Sequence, residues 1–424
     1  MNFRKKGWLK KYTDLRAGQP FFVSSAATGL ATPDAEKALY QFLQPTGLFY
    51  GLPIQYPLHE ANYPQRKYYA TSDKARIIFL DCLFGCLMAG QAKEPTPTQA
   101  QLKQQFALVA DYFGVPATTA APANKSWFSL FTQPQNPDSQ LEKTLKKHLN
   151  FGAGLTSFSV YFANSLLFLD IYGCMRYSHQ PGQSALEQVK AEQEQLRVTA
   201  LKLIAAAAHA NGIIEKEESQ IYFQFLRSAK LPAAQVAELR ELYKTGISLA
   251  EIAIPETSWL VRRYLLEVAI LTIMADNDIS SEEEIFLQQL CARLSLTQDD
   301  LDQGMAALQT FLLVNEPHLH FFKDKSRFTY ASERLKERIT KVIALNKDRI
   351  LQEIEESKEM VALIQKSKRT QLSTEEKTKV RQQLFDILKT VPMLAMLLIP
   401  GKMLIMPFLL QILPAEIYPS AFRE

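Results

Sequence analysis

Five prolines, Pro392, Pro400, Pro407, Pro414 and Pro419, punctuate an almost uncharged apolar run near the end of this chain. Proline lacks a backbone donor and its ring clashes with the carbonyl four residues back, which costs about 3 kcal/mol in a helix interior. A helix in a water-soluble core seldom carries so many. In lipid they are tolerated where neighbouring groups satisfy the freed carbonyls. The run is therefore expected to be a proline-kinked membrane segment, and it constrains the rest of the chain to a body attached to a bilayer.

Residues 391–413 are 23 positions, about 34 Å as a helix. They contain one charge, Lys402, and twelve Val, Leu, Ile or Phe, which contribute about −4 to −7 kcal/mol to insertion against about +3 for a central lysine. Apolarity prevails by a small margin, so a kinked single span and a re-entrant hairpin broken at Pro400-Gly401 both fit. Pro400, Pro407 and Pro414 are seven apart and nearly share one helix face. The carbonyls of Met396, Met403 and Leu410 then need partners on that face. An anchor with Lys402 snorkelling to the interface is one reading. An ion path in which Lys402 and Asp386 take part is the other. Eight Lys or Arg lie between residues 358 and 389, and only Arg423 follows the run. The positive-inside rule puts the bulk of the chain on the cytoplasmic side of the inner membrane.

The remainder reads as all-α. Residues 1–190 form an expected multi-helix N-terminal domain, with helical periodicity over 72–90 and 98–113. Two stretches approach membrane hydrophobicity, residues 75–90 and 155–175. The first is short and the second contains Asn164 and Asp170, so both are expected to be buried helices of a globular body. They carry an echo, IIFLD at 77–81 and LLFLD at 166–170, which places Asp81 and Asp170 beside apolar stripes. Two similar core helices explain this better than a pair of catalytic carboxylates. Cys82, Cys86, Cys174 and Cys291 are too few for a disulfide scaffold and read as buried thiols in a reducing compartment.

Residues 191–310 contain a clearer repeat. Residues 210–218, A-N-G-I-I-E-K-E-E, match residues 275–283, A-D-N-D-I-S-S-E-E, at a constant offset of 65. In each copy Asn, Asp or Gly ends one helix and turns the chain. Ile214 or Ile279 is expected to pin the turn to the core, and acidic residues open the next helix, where its dipole favours them. Ser280 and Glu283 have capping-box spacing. Asp276, Asp278, Glu282 and Glu283 have the residue types of a weak divalent-cation site, although capping alone also explains them. A calcium loop of the EF-hand kind is excluded, because Ser281 and Leu287 stand where glycine and a bidentate glutamate are required. No other cofactor is expected.

Residues 311–371 read as a connecting segment dominated by one long charged helix. Its stripe is Leu335, Ile339, Val342, Ile343, Ile350, Ile354, Val361 and Ile364. His318 and His320, just upstream, have no Cys nearby to complete a metal set and read as surface residues. Residues 372–424 form the membrane segment with its lead-in. The net charge of +4 and the absence of basic tracts interleaved with aromatics give no case for nucleic acid. P-loop, G-x-S-x-G, H-E-x-x-H and G-x-G-x-x-G motifs are all missing, so an enzyme is not expected.

The paired turns resemble the TerB-like, tellurite-resistance type of helical domain, whose signature is a duplicated A-D-G-x-I-x-x-E-E turn. That resemblance implies an all-helical fold and metal binding by acidic clusters near the turns; Asn211 stands where the family prefers Asp. The tail resembles the Letm family of inner-membrane proteins. The match runs from L-S-T-E-E-K-T-K-V-R-Q-Q at 372–383 through Asp386, along the ladder from Pro392 to Pro414, and closes on P-S-A-F at 419–422. The combination resembles bacterial Letm-related proteins described as biofilm-associated. It implies a membrane-attached protein of cation homeostasis, envelope stress or biofilm-type behaviour. A cation/proton antiporter subunit, exchanging potassium or calcium, is the alternative, and as a homo-oligomer, because one span cannot form a pathway alone. A soluble interaction scaffold is a further one. Met403 occupies the position of a family glutamate, and the family's ribosome-binding domain has no counterpart in the sequence, so no ribosome contact is expected.

Overall fold

The structure, a computed structural model, describes residues 5–19, 34–58, 62–63, 69–89, 96–115, 137–149, 166–275, 279–315, 325–367, 369–370 and 372–389. Among them there are sixteen α-helices, three short 3-10 helices and no strand, in agreement with the all-α expectation. The chain divides into two compact units, Met1–Leu294 and Ser295–Glu424. The expected borders at 190 and 310 fall inside unbroken helices, whereas the division coincides with Ser295, which has a positive φ of 51° just past a helix end.

The first unit contains α1 (Trp8–Arg16), α2 (Asp34–Leu43), α3 (Thr71–Ala89), α4 (Gln99–Tyr112), α5 (Pro137–His148), α6 (Leu167–His179), α7 (Gln183–Ala208), α8 (Lys216–Ser228), α9 (Ala233–Thr245), α10 (Trp259–Ile273) and α11 (Ser281–Arg293). Two helices organise it. From Tyr264 to Ile273 every residue of α10 is buried, the pattern of a helix enclosed on all sides. α7 ends in the buried run Ala205–Ala208, and such small side chains let neighbours approach closely. α7 accordingly packs on α6, α8, α9 and α10, while α3 packs on α6 and α1 on α4 and α5.

Helix starts are fixed by long-range as well as local caps. Thr98 and Gln101 form a capping box on α4. The Glu142 carboxylate of α5 accepts from Gly7 N at 3.0 Å and Leu9 N at 2.9 Å, satisfying donors that the first turn of α1 leaves unpaired. Glu36 of α2 does the same for Leu260 N of α10 at 3.0 Å. Residues 75–89 of the first stretch lie in the buried α3, and α6 takes up the described part of 155–175. All four cysteines are free and buried, and burial raises the thiols of Cys82, Cys86 and Cys174, which keeps them protonated and unreactive.

The second unit contains α12 (Gln298–Asn315), α13 (Lys325–Leu345), α14 (Lys347–Glu356), α15 (Lys358–Ser367) and α16 (Thr374–Lys389). The charged stretch is thus three helices rather than one. Asn346 ends α13 by returning its side-chain amide to Val342 O at 2.8 Å, a local bond that competes with helix continuation. Ser357 leaves the helical region at ψ 93°, and its hydroxyl meets Gln383 Oε1 at 3.2 Å. These breaks let α14, α15 and α16 pack on one another. The isoleucine stripe survives as buried residues of this unit, Ile339, Ile343, Ile350, Ile354 and Ile364, and Val380, Leu384 and Leu388 of α16 are buried as well.

Candidate functional site

Both acidic turns fold as capped helix starts. In the second copy, Glu283 Oε2 accepts from Ser280 N at 2.8 Å and Ser280 Oγ at 3.0 Å. In the first, Glu218 Oε2 accepts from Glu215 N at 2.9 Å. The two glutamates, 65 positions apart in sequence, are 1% and 2% exposed. Glu283 has a further partner, Asn211 Nδ2 at 2.9 Å, and Asn211 Oδ1 accepts from Ile213 N at 2.8 Å. One amide side chain therefore shapes the first turn and ties it to the start of the helix after the second. Asp in this position could not donate. Ile214 does not pin the turn as expected, since it is 38% exposed and Ile213 is 64% exposed; the side-chain brace holds it instead. Glu282 is exposed and accepts from Ser281 Oγ at 3.1 Å. Asp276 and Asp278 lie outside the described residues. Among the described residues no group of three His, Cys, Asp or Glu is placed to hold a metal.

Substituting Asn211 by Asp puts a second carboxylate where the amide donates to Glu283. A hydrogen bond to a charged group contributes about 1.5–3 kcal/mol. Urea unfolding at pH 7 is therefore expected to show a loss of about 2 kcal/mol.

Of the tail residues, Asp386 is on α16 and exposed. Pro392, Pro400, Lys402, Pro407, Pro414 and Pro419 lie outside the described residues, as do His318 and His320. Among the described residues no helix is long and apolar enough to cross a membrane.

The echoed aspartates are both buried, and each holds an arginine. Asp81 receives Arg16 Nε at 2.7 Å and Arg16 Nη2 at 2.6 Å, with Tyr12 and Tyr63 hydroxyls at 2.8 and 2.7 Å. A comparable network surrounds Glu267 of α10, which takes hydroxyl bonds from Tyr40 and, at 2.6 Å, from Tyr50, with Arg263 in an ion pair one turn earlier. Burial raises the Glu267 carboxyl, and Arg263 with the two tyrosines pulls it part of the way back.

Asp170 sits in a more open and more cationic setting. Its Oδ2 meets His148 Nε2 at 2.8 Å and its Oδ1 accepts from Arg197 Nη2 at 2.9 Å. Lys230 Nζ lies 3.1 Å from the other ring nitrogen of His148, and the Lys190 ammonium is 3.5 Å from the centroid of the Tyr112 ring. Burial alone would raise Asp170; the charge and hydrogen bond of His148, then Arg197 and Lys230, hold it well below the usual carboxylate range. Sequence reading singled out Asp170 but not its partners. His148 ends α5, Lys190 and Arg197 share a face of α7, and Lys230 follows α8. These are polar residues from three elements without a common motif, and only the packing of α5, α7 and α8 around α6 assembles them.

Compared with protein-family models, curated proteins and solved structures, the chain matches none of them.

Proposed function

We propose that this chain is a non-enzymatic, membrane-attached helical protein of the cytoplasmic face, Letm-related in its tail and TerB-like in its paired turns. It acts in cation homeostasis, envelope stress or biofilm-type behaviour. The observation that carries the reading is the 23-residue run with a single charge, preceded by eight basic residues between 358 and 389. The fold suits it. The apolar face of α16 (Val380, Leu384, Ile387, Leu388) is buried, while Lys379 and Asp386 are exposed. α16 packs with α14 and α15, and in this reading the membrane element is the run that follows Lys389.

A stop codon after Lys389 tests this and keeps the α14–α16 core whole, which a stop before α16 would not. The full chain is expected to stay in the membrane pellet after alkaline carbonate extraction. The shortened chain should be recovered in the supernatant with its helical circular dichroism retained. Equal retention of both in the pellet would refute the anchor.

A further inference from the structure

The cationic group around Asp170 has more positive charge than its neighbourhood balances. Lys190, Arg197 and Lys230 face one carboxylate, and both oxygens of that carboxylate are already engaged by His148 and Arg197. Among the described residues neither lysine is seated on a carboxylate; Lys190 rests on the Tyr112 ring and Lys230 on an imidazole nitrogen. His148 lies between Lys230 and Asp170, with Nδ1 toward the lysine and Nε2 toward the carboxylate.

Five other acids on the surrounding helices have partners elsewhere, among them Glu187, which accepts from Gln183. Glu142 caps α1, Asp111 accepts from Tyr177, Glu192 pairs with Arg176, and Glu194 accepts from Gln235. The segments 116–136 and 150–165 contain no Asp or Glu. Lys147 adds to the positive field at Lys230. Burial of its ammonium, opposed by Asp170 but reinforced by Arg197 and Lys230, brings Lys190 down to about 8.

A second observation points the same way. Two buried donors beside Asp170, Arg197 Nε and the hydroxyl of Tyr264, have no hydrogen-bond partner among the described residues. Tyr264 is fully buried and lies within electrostatic range of both Arg197 and Asp170. Asp170 holds one edge of the guanidinium through Nη2 and leaves the Nε edge free to donate. Lys230 adopts left-handed backbone, φ 53°, an uncommon state for a lysine, and it brings the side chain back over the end of α5.

We propose that Lys190, Arg197 and Lys230, with Tyr264 and the His148–Asp170 pair behind them, bind a small tetrahedral oxyanion of the phosphate or phosphomonoester class. The lysines supply the compensating charge and Arg197 the directed donors. The site is independent of the membrane tail and of the acidic turns.

Calorimetric titration of the detergent-solubilised full chain with inorganic phosphate, at ionic strength fixed with sodium chloride, tests it. Saturable one-site binding is expected, weakened at least tenfold in both Lys190→Met and Lys230→Met. These residues are exposed overall, so the variants should keep the wild-type circular dichroism. Lys341→Met, an exposed change in the other unit, should leave the affinity unaltered. A parallel titration with dihexanoyl phosphatidic acid separates two sources of the same chemistry. Tighter binding than inorganic phosphate assigns a lipid headgroup, and equal or weaker binding assigns the free ion. Absence of saturable phosphate binding, or equal affinity in wild type and Lys230→Met, overturns the proposal.

Discussion

Replacing Arg16 by methionine is expected to cost about 3–5 kcal/mol, because it strands a buried carboxylate. Arg16 and Asp81 are both fully buried and joined by two parallel hydrogen bonds at 2.7 and 2.6 Å. Arg16 also donates to Asn62 O at 3.1 Å and lies 4.5 Å from the Tyr63 ring centroid. Methionine roughly fills the space but leaves the Asp81 charge with only the Tyr12 and Tyr63 hydroxyls. Burial and then the Asp81 charge push both phenols well above their usual range, so they remain donors and cannot relieve the site by ionising. Asp81→Asn in the same background removes the charge and keeps an acceptor for one tyrosine. The double variant should therefore be more stable than Arg16→Met alone, even though it carries one more change. Urea unfolding of the three proteins at pH 7, followed by circular dichroism, gives the comparison. If Arg16→Met unfolds within 1 kcal/mol of wild type, or if the double variant is the less stable, the ion pair is not what holds α1 to α3.

How far these features can be read from sequence depends on whether the signal is local. The caps are local: S-x-x-E at Ser280 names its own partner three residues on, and the structure contains that bond. The echo at Asp81 and Asp170 identified two core aspartates, but Arg16 is 65 residues from Asp81 and Arg197 is 27 from Asp170. Nothing near either aspartate announces its arginine. The charged stretch read as a single helix because its isoleucines keep phase across both breaks, Ile343 to Ile350 to Ile354 and on to Ile364. Apolar period reports which face is buried, and a fold-back that preserves the face leaves it unchanged. Asn346 and Ser357 are the residues that carry the break, through side-chain bonds that no periodicity counts. The isoleucine of the first turn failed in the opposite direction. An apolar residue in a turn suggests a hydrophobic pin, but Asn211 and Glu283 provide the brace and leave Ile213 and Ile214 exposed. The cationic group around Asp170 gave no signal at all, since each lysine alone is an ordinary surface residue.

Gly173→Ala is expected to destabilise the first unit by about 2–4 kcal/mol. In most helices this substitution stabilises, by about 0.5–1 kcal/mol. Here an added Cβ would lie 2.3 Å from Gln193 Nε2, 2.5 Å from Gln193 Cδ and 2.6 Å from the Tyr112 hydroxyl. Something must move, and the neighbours are not loose. Gln193 is 2% exposed, its amide donates to Leu169 O, and its carbonyl accepts from Tyr112 at 2.9 Å. Overpacking a site of this kind commonly costs about 1–3 kcal/mol, and displacing Gln193 adds the loss of its two bonds, about 1 kcal/mol each. Gln193→Ala makes room for the methyl at the price of the same bonds. The two substitutions should therefore be strongly non-additive, with the double variant losing at least 1 kcal/mol less than the sum of the singles. An additive pair would mean that α6 and α7 can separate without loss and that Gly173 is incidental. The same displacement carries a functional readout. Tyr112 supports the Lys190 ammonium, so Gly173→Ala should weaken phosphate binding even where the protein remains folded, and the double variant should recover part of it.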